Sequence, residues 1–99
     1  MARFAATIRF TEQGLKAIHE STRRAEAFKA AAKKLGAKVL DVYWCMGPFD
    51  GLLIFEAADS QVATAAMLQL AALGNVQTQT AEIFTASEMD SVVARIRPK

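Results

Sequence analysis

Leu52-Leu53-Ile54-Phe55 decides the fold. Four consecutive apolar residues make a strand that buries both of its faces, so it belongs in the middle of a sheet. Just before it, Gly47-Pro48-Phe49-Asp50-Gly51 reads as a turn. Proline pre-sets φ there, and Gly51 tolerates a positive φ. Further upstream, residues 38–46 alternate as a second strand. Leu40, Val42, Trp44 and Met46 fall on one side, and Val39, Asp41, Tyr43 and Cys45 on the other. This parity sends Trp44 into a helix-packed core.

Residues 3–10 alternate in the same way. Phe4, Ala6, Ile8 and Phe10 share one face, and Arg3, Ala5, Thr7 and Arg9 the other. Thr11 then offers an N-cap, with Phe10 and Leu15 as its hydrophobic staple. A short helix is interrupted at His19-Glu20-Ser21-Thr22. Ser21 or Thr22 can cap a second helix, in which Ala25, Phe28, Ala32 and Leu35 recur at helical spacing. Gly36 ends it. Asp59 caps a third helix over 60–73, apolar around most of its circumference, and Gly74 ends that one. Residues 76–84 make the fourth strand.

Thr85 opens a last helix through a capping box to Glu88 and a staple between Phe84 and Met89. Met89, Val92, Val93 and Ile96 form its apolar stripe. Arg95 and Arg97 suit its negative end, and Pro98 stops it. The order is βαββαβ plus a terminal helix. Right-handed crossovers turn that order into a ferredoxin-like α+β fold. It is a single domain over residues 1–99, with a four-stranded antiparallel sheet in the order 4-1-3-2.

Composition agrees with one modest core. Of 99 residues 53% are hydrophobic, but 20 are alanine and 32 are larger. No apolar run approaches the roughly 18–20 residues of a membrane span. No signal-peptide core follows Met1, so the chain is expected in the cytoplasm. One cysteine excludes an internal disulfide, and with one histidine it excludes a thiolate–imidazole zinc cage within one chain. No metal or cofactor is expected. A net charge of +2 gives no reason to expect a nucleic-acid partner. Residues 1–38 carry nine bases against three acids. Arg23, Arg24, Lys33 and Lys34 among them read as a solvated helix face.

Helices cover only one side of the expected sheet. The other carries Arg3, Thr7, Arg9, Asp41, Tyr43 and Cys45, with Leu52/Ile54 or Leu53/Phe55 at its centre. It is too apolar to stay bare and too polar for a simple core. A symmetric dimer with sheets packed face to face satisfies both conditions. Arg9, Asp41 and Tyr43 read as a polar cluster that can hold a small carboxylate, or as an Arg–Asp pair across the dimer. Asp50 can bond its own backbone two residues on, or contact a ligand or subunit. Cys45 and His19 are a nucleophile and a base by type, but nothing in the spacing brings them together. Gly47 and Gly51 lie in a hairpin, so they cradle no phosphate.

These readings lead to an oligomeric module that binds a small metabolite or another copy of itself. The alternative is a small cofactor-independent enzyme with Tyr43, Asp41, Arg9 and Cys45 lining a pocket inside the dimer.

Several stretches resemble the GYD domain family. They are Phe10-Thr11-Glu12-Gln13-Gly14, the block from Tyr43 to Asp50, Phe55-Glu56-Ala57, and Ala72-Leu73-Gly74-Asn75-Val76 followed by Thr78 and Thr80. The family's Gly-Tyr-Asp signature is written here Gly47-Pro48-Phe49-Asp50, with phenylalanine where tyrosine is usual. The resemblance implies a dimeric α/β barrel and makes Gly47, Phe49 and Asp50 site candidates. A looser resemblance is to the ligand-binding domain of Lrp/AsnC regulators, which oligomerises and binds amino acids at subunit interfaces. This chain has no helix-turn-helix segment, so only the sensing half of that likeness carries over.

Overall fold

The computed structural model describes residues 1–98. In chain order the elements are β1 (Ala2–Phe10), α1 (Glu12–Lys16), a 3-10 turn (Ile18–Glu20), α2 (Ser21–Leu35), β2 (Ala37–Trp44), β3 (Gly51–Ala57), α3 (Ser60–Ala72), β4 (Val76–Ile83) and α4 (Ala86–Val93). The sheet order is β2-β3-β1-β4, antiparallel throughout, which is the ferredoxin-like arrangement. β3, apolar on both faces, lies at its centre beside β1, as its composition requires.

Alternation sorts the faces. Phe4, Ala6, Leu53, Phe55 and Ala57 are buried beneath α2 and α3, which supply Phe28, Ala32, Ala63, Ala66 and Met67. Three of those five helix residues are alanines, and small side chains let the helices sit close to the sheet. Phe4 and Phe55 stack with ring centroids 5.4 Å apart. Phe55 and Leu53 are the largest fully buried side chains.

Two boundaries and one register differ from the sequence reading. β2 stops at Trp44, so Cys45 and Met46 belong to the following loop. α2 begins at Ser21 with Glu20 as its N-cap and no side-chain cap, so neither Ser21 nor Thr22 caps it. The third difference is a β-bulge. Val39 pairs with Phe55, and the next paired residue is Asp41, opposite Ile54. Leu40 is the extra residue. A bulge resets the alternation, so Val39, expected on the open face, joins Val42 against the core. Asp41 and Tyr43 stay on the open side, opposite Ile54 and Leu52.

The helix ends follow local chemistry. Asp59 accepts from the Val62 N–H at 2.9 Å. Gly36 takes φ +92° after α2, a conformation that costs glycine nothing. Thr85 and Glu88 close a reciprocal capping box on α4. The Glu88 carboxyl is held below its ordinary pKa, chiefly by the Thr85 backbone N–H.

Removing the stacked ring at the sheet centre tests this core. Phe55→Ala should destabilise the fold by about 3–5 kcal/mol, read as a lowered urea midpoint. A loss below about 1 kcal/mol contradicts the packing described.

Candidate functional site

Three of the stretches that carry the family resemblance, Phe10–Gly14, Tyr43–Asp50 and Ala72–Val76, lie far apart in sequence and meet at one end of the sheet, while Phe55-Glu56-Ala57 lies at the other. Phe10, the last residue of β1, pairs with Val76, the first of β4. The Thr11 N–H donates to the Asn75 carbonyl at 3.1 Å. The Thr11 hydroxyl donates to the Gly74 carbonyl at 2.6 Å and accepts from the Gly14 N–H at 3.1 Å. The Gln13 amide donates to the Leu73 carbonyl at 3.0 Å and to the Asn75 side chain at 2.9 Å. Gly14 has no room for a side chain, because a Cβ would collide with the Asn75 carbonyl. Thr11, Gln13 and Gly14 thus weld the start of α1 to the turn between α3 and β4.

Asp50 holds the other half of this end. Its N–H donates to the Ile8 carbonyl and its carbonyl accepts from the Cys45 N–H, both at 2.8 Å. Its carboxylate accepts from the Phe10 N–H at 2.8 Å. The partner is therefore the end of β1, 40 residues away, and not Asp50's own backbone two residues on. One residue joins β1, β2 and β3. Gly47 lies in the exposed part of the same loop, and Phe49 is half-buried.

Between this end of the sheet and the helices lies a cavity of about 80 Å³. Ile8, Phe28, Val42, Leu53, Leu70 and Val76 give it apolar walls. Ser21, Arg24, Tyr43, Trp44, Asp50 and Asn75 are the residues with polar side-chain groups among its lining. Trp44, expected in the core, is 47% exposed and donates its indole N–H to the Ser21 hydroxyl at 2.7 Å. That bond ties β2 to the start of α2. Arg24 is half-buried and donates to the Ala17 carbonyl at 2.8 Å and the Gly14 carbonyl at 3.4 Å. It is not part of a solvated face, unlike Arg23, Lys33 and Lys34, which are exposed. The sequence signal for this site was the set of motif stretches themselves. The residues that α2 and α3 add to it had none.

The open face of the sheet is the second candidate. Across β4, β1, β3 and β2 its rows run Ile83–Arg3–Glu56–Lys38, Ala81–Ala5–Ile54–Asp41 and Gln79–Thr7–Leu52–Tyr43. Ala5, Leu52 and Ile54 form a half-buried apolar centre, and Tyr43 is 55% exposed beside it. Arg3 and Glu56 pair at 3.4 Å. Arg9 and Asp41 do not meet within the chain. Register sets them two strands and four residues apart, on the order of 16 Å. Cys45 is a half-buried free thiol in the loop after β2, and His19 is exposed on the 3-10 turn. Among the described residues no cluster of three or more His, Cys, Asp or Glu can hold a metal. Among the same residues no helix is long and apolar enough to cross a membrane.

An antiparallel split-βαβ layer with one bare face, closed at one end by a threonine–glycine–aspartate weld, defines the class. The chain matches the GYD domain model over residues 4–93 and belongs to that family. It is similar to a Thermus thermophilus protein named glutamine synthetase and cystathionine beta-lyase binding protein. The two are 28% identical over 98 residues, covering 98% of this chain and 100% of the relative. The crystal structure of TTHA0845, also from Thermus thermophilus, superposes with a TM-score of 0.57. The match covers 87% of this chain and 96% of that one at 24% identity, and bears on the fold alone.

Asp50→Ala strands the Phe10 N–H and should cost about 1.5–3 kcal/mol of stability in urea unfolding. Asp50→Asn keeps an accepting oxygen and should cost less. Equal losses would mean the carboxylate charge, not the hydrogen bond, is what matters.

Proposed function

We propose that this chain is a non-catalytic assembly and docking module. It self-associates through the bare face of its sheet and serves as a binding partner for other proteins. One observation carries the self-association: the apolar centre at Ala5, Leu52 and Ile54 lies on the side of the sheet that no helix covers. Burying such a centre is worth roughly 25 cal/mol per Å². The polar residues around it, Arg9, Asp41 and Tyr43, suit pairs across the seam. The two-strand separation of Arg9 from Asp41 within the chain leaves each free for the other's counterpart in a facing sheet. Docking of other proteins is supported by the relative named for binding two enzymes.

Light scattering tests the first half. The unmodified chain should run above the 10.7 kDa of one subunit. Ile54→Glu places a carboxylate in the seam and should lower that mass, with its circular dichroism unchanged. A wild-type mass of one chain at every concentration overturns the reading.

A second reading is favoured by the cavity behind Trp44. Its walls and size suit a small, mostly apolar ligand, on the opposite side of the sheet from the seam. Trp44 is the chain's one tryptophan, so its emission reports on the site. Benzyl alcohol should change that emission saturably, and Leu70→Phe, which fills the space, should abolish the change. A linear response that survives Leu70→Phe would eliminate the cavity as a site.

A further inference from the structure

The last helix has an apolar stripe that no described residue buries. All eight residues of α4 are exposed. So are Phe84 before it and Ile96 after it. The molecule is correspondingly drawn out. Its radius of gyration is 15.3 Å and its extents are 55 × 31 × 18 Å. A compact chain of this length has a radius of about 13 Å. Isolated helices shorter than about 12–15 residues are marginal in water. The capping box helps α4, but a helix this short needs packing.

Its charges say what packs there. Acids sit at its amino end, Glu88 and Asp90, and bases follow its carboxyl end, Arg95 and Arg97. The chain beyond Val93 continues as a tighter turn, with the Arg95 N–H on the Val92 carbonyl and the Ile96 N–H on the Val93 carbonyl. Ile96 is thus one turn beyond Val93. At about 3.6 residues per turn, Glu88 flanks the stripe on one side and Asp90 on the other, while Arg95 and Arg97 follow in the chain beyond the helix. Acids and bases thus lie at opposite ends of the stripe.

Two such helices laid antiparallel meet flank to flank. A two-fold axis between Val92 and Val93 sets Met89 of either copy against Ile96 of the other. The same axis brings the acidic end of either copy beside the basic end of the other. Parallel packing would set acid on acid and base on base. The same order of charge suits the helix's own dipole, and it makes the stripe complementary to an inverted copy of itself. We propose that α4 packs antiparallel against the α4 of a second copy of this chain.

The proposal is separate from the sheet seam. If Ile54→Glu leaves the mass unchanged, the seam fails and the α4 contact is untouched.

Cross-linking decides it, in the full chain with Cys45→Ser so that the added thiol is alone. A short bis-maleimide should join Val92→Cys chains into a covalent dimer, because Val92 lies beside the axis. Ser87→Cys should not be joined, since antiparallel packing separates the two copies of residue 87 by roughly 16 Å along the axis. Asp90→Arg should lower the Val92→Cys yield several-fold, and adding Arg97→Asp should restore it. Three results overturn the proposal: no dimer from Val92→Cys, efficient dimer from Ser87→Cys, or no restoration by the second charge reversal.

Discussion

A four-stranded sheet has two faces, and this chain brings helices for only one. That imbalance governs the rest of the molecule. The covered face collects Phe4, Leu53 and Phe55 under alanine-rich helix surfaces, which is enough for one tight core. The bare face keeps its own apolar centre, and the centre is small. A monomer can tolerate single exposed leucines, but not an apolar patch and an exposed apolar helix together without some cost in solubility. Sheet face and α4 are two separate surfaces with the same unmet need. That is why assembly, rather than chemistry, is the function the geometry favours.

The welded end of the sheet has a different logic. Thr11, Gly14, Asp50, Gly74 and Asn75 each act through backbone groups of a distant segment. Crossover folds have such an end, where two βα junctions and a hairpin must close over the same core. Buried backbone groups there need partners. The side chains that provide them are the ones that give the family its signature, and Asp50 satisfies a strand-end N–H. The signature aspartate therefore has a structural role at this end of the sheet. The tyrosine position has less to explain, because Phe49 stands there and is only half-buried.

Much of this was legible in the sequence, and the reason is local. Period two placed β1, an unbroken apolar run placed β3, glycine and aspartate placed the helix ends, and the Thr85–Glu88 spacing placed the capping box. These signals lie within a few residues of what they determine. The bulge at Leu40 was not legible, because it is set by pairing with β3, not by anything in β2 alone. Trp44 was misplaced for a related reason. Its parity is right, but the sheet outruns α2 at that end, so the ring lies at the cavity with its N–H on Ser21. Arg24 looked like its neighbours Arg23 and Lys33, and only the fold of α1 beneath it distinguishes them. The contact of Asp50 with Phe10 joins segments far apart in the chain and had no local trace.

Two self-complementary surfaces on one chain constrain the assembly they can build. Each proposed contact is isologous and so brings its own two-fold axis. If the sheet seam and the α4 pair share an axis, two chains satisfy both and the assembly closes as a dimer. If the axes differ, every chain must touch two different neighbours, and the smallest closed solution contains four chains. The sheet order favours the second case. α4 follows β4, the edge strand, two strands from Leu52 and Ile54 on β3. A helix attached at the sheet edge is placed to reach a different neighbour from the one the seam holds. Paired dimers, with their welded ends and cavities outside both contacts, would leave those surfaces free for another protein.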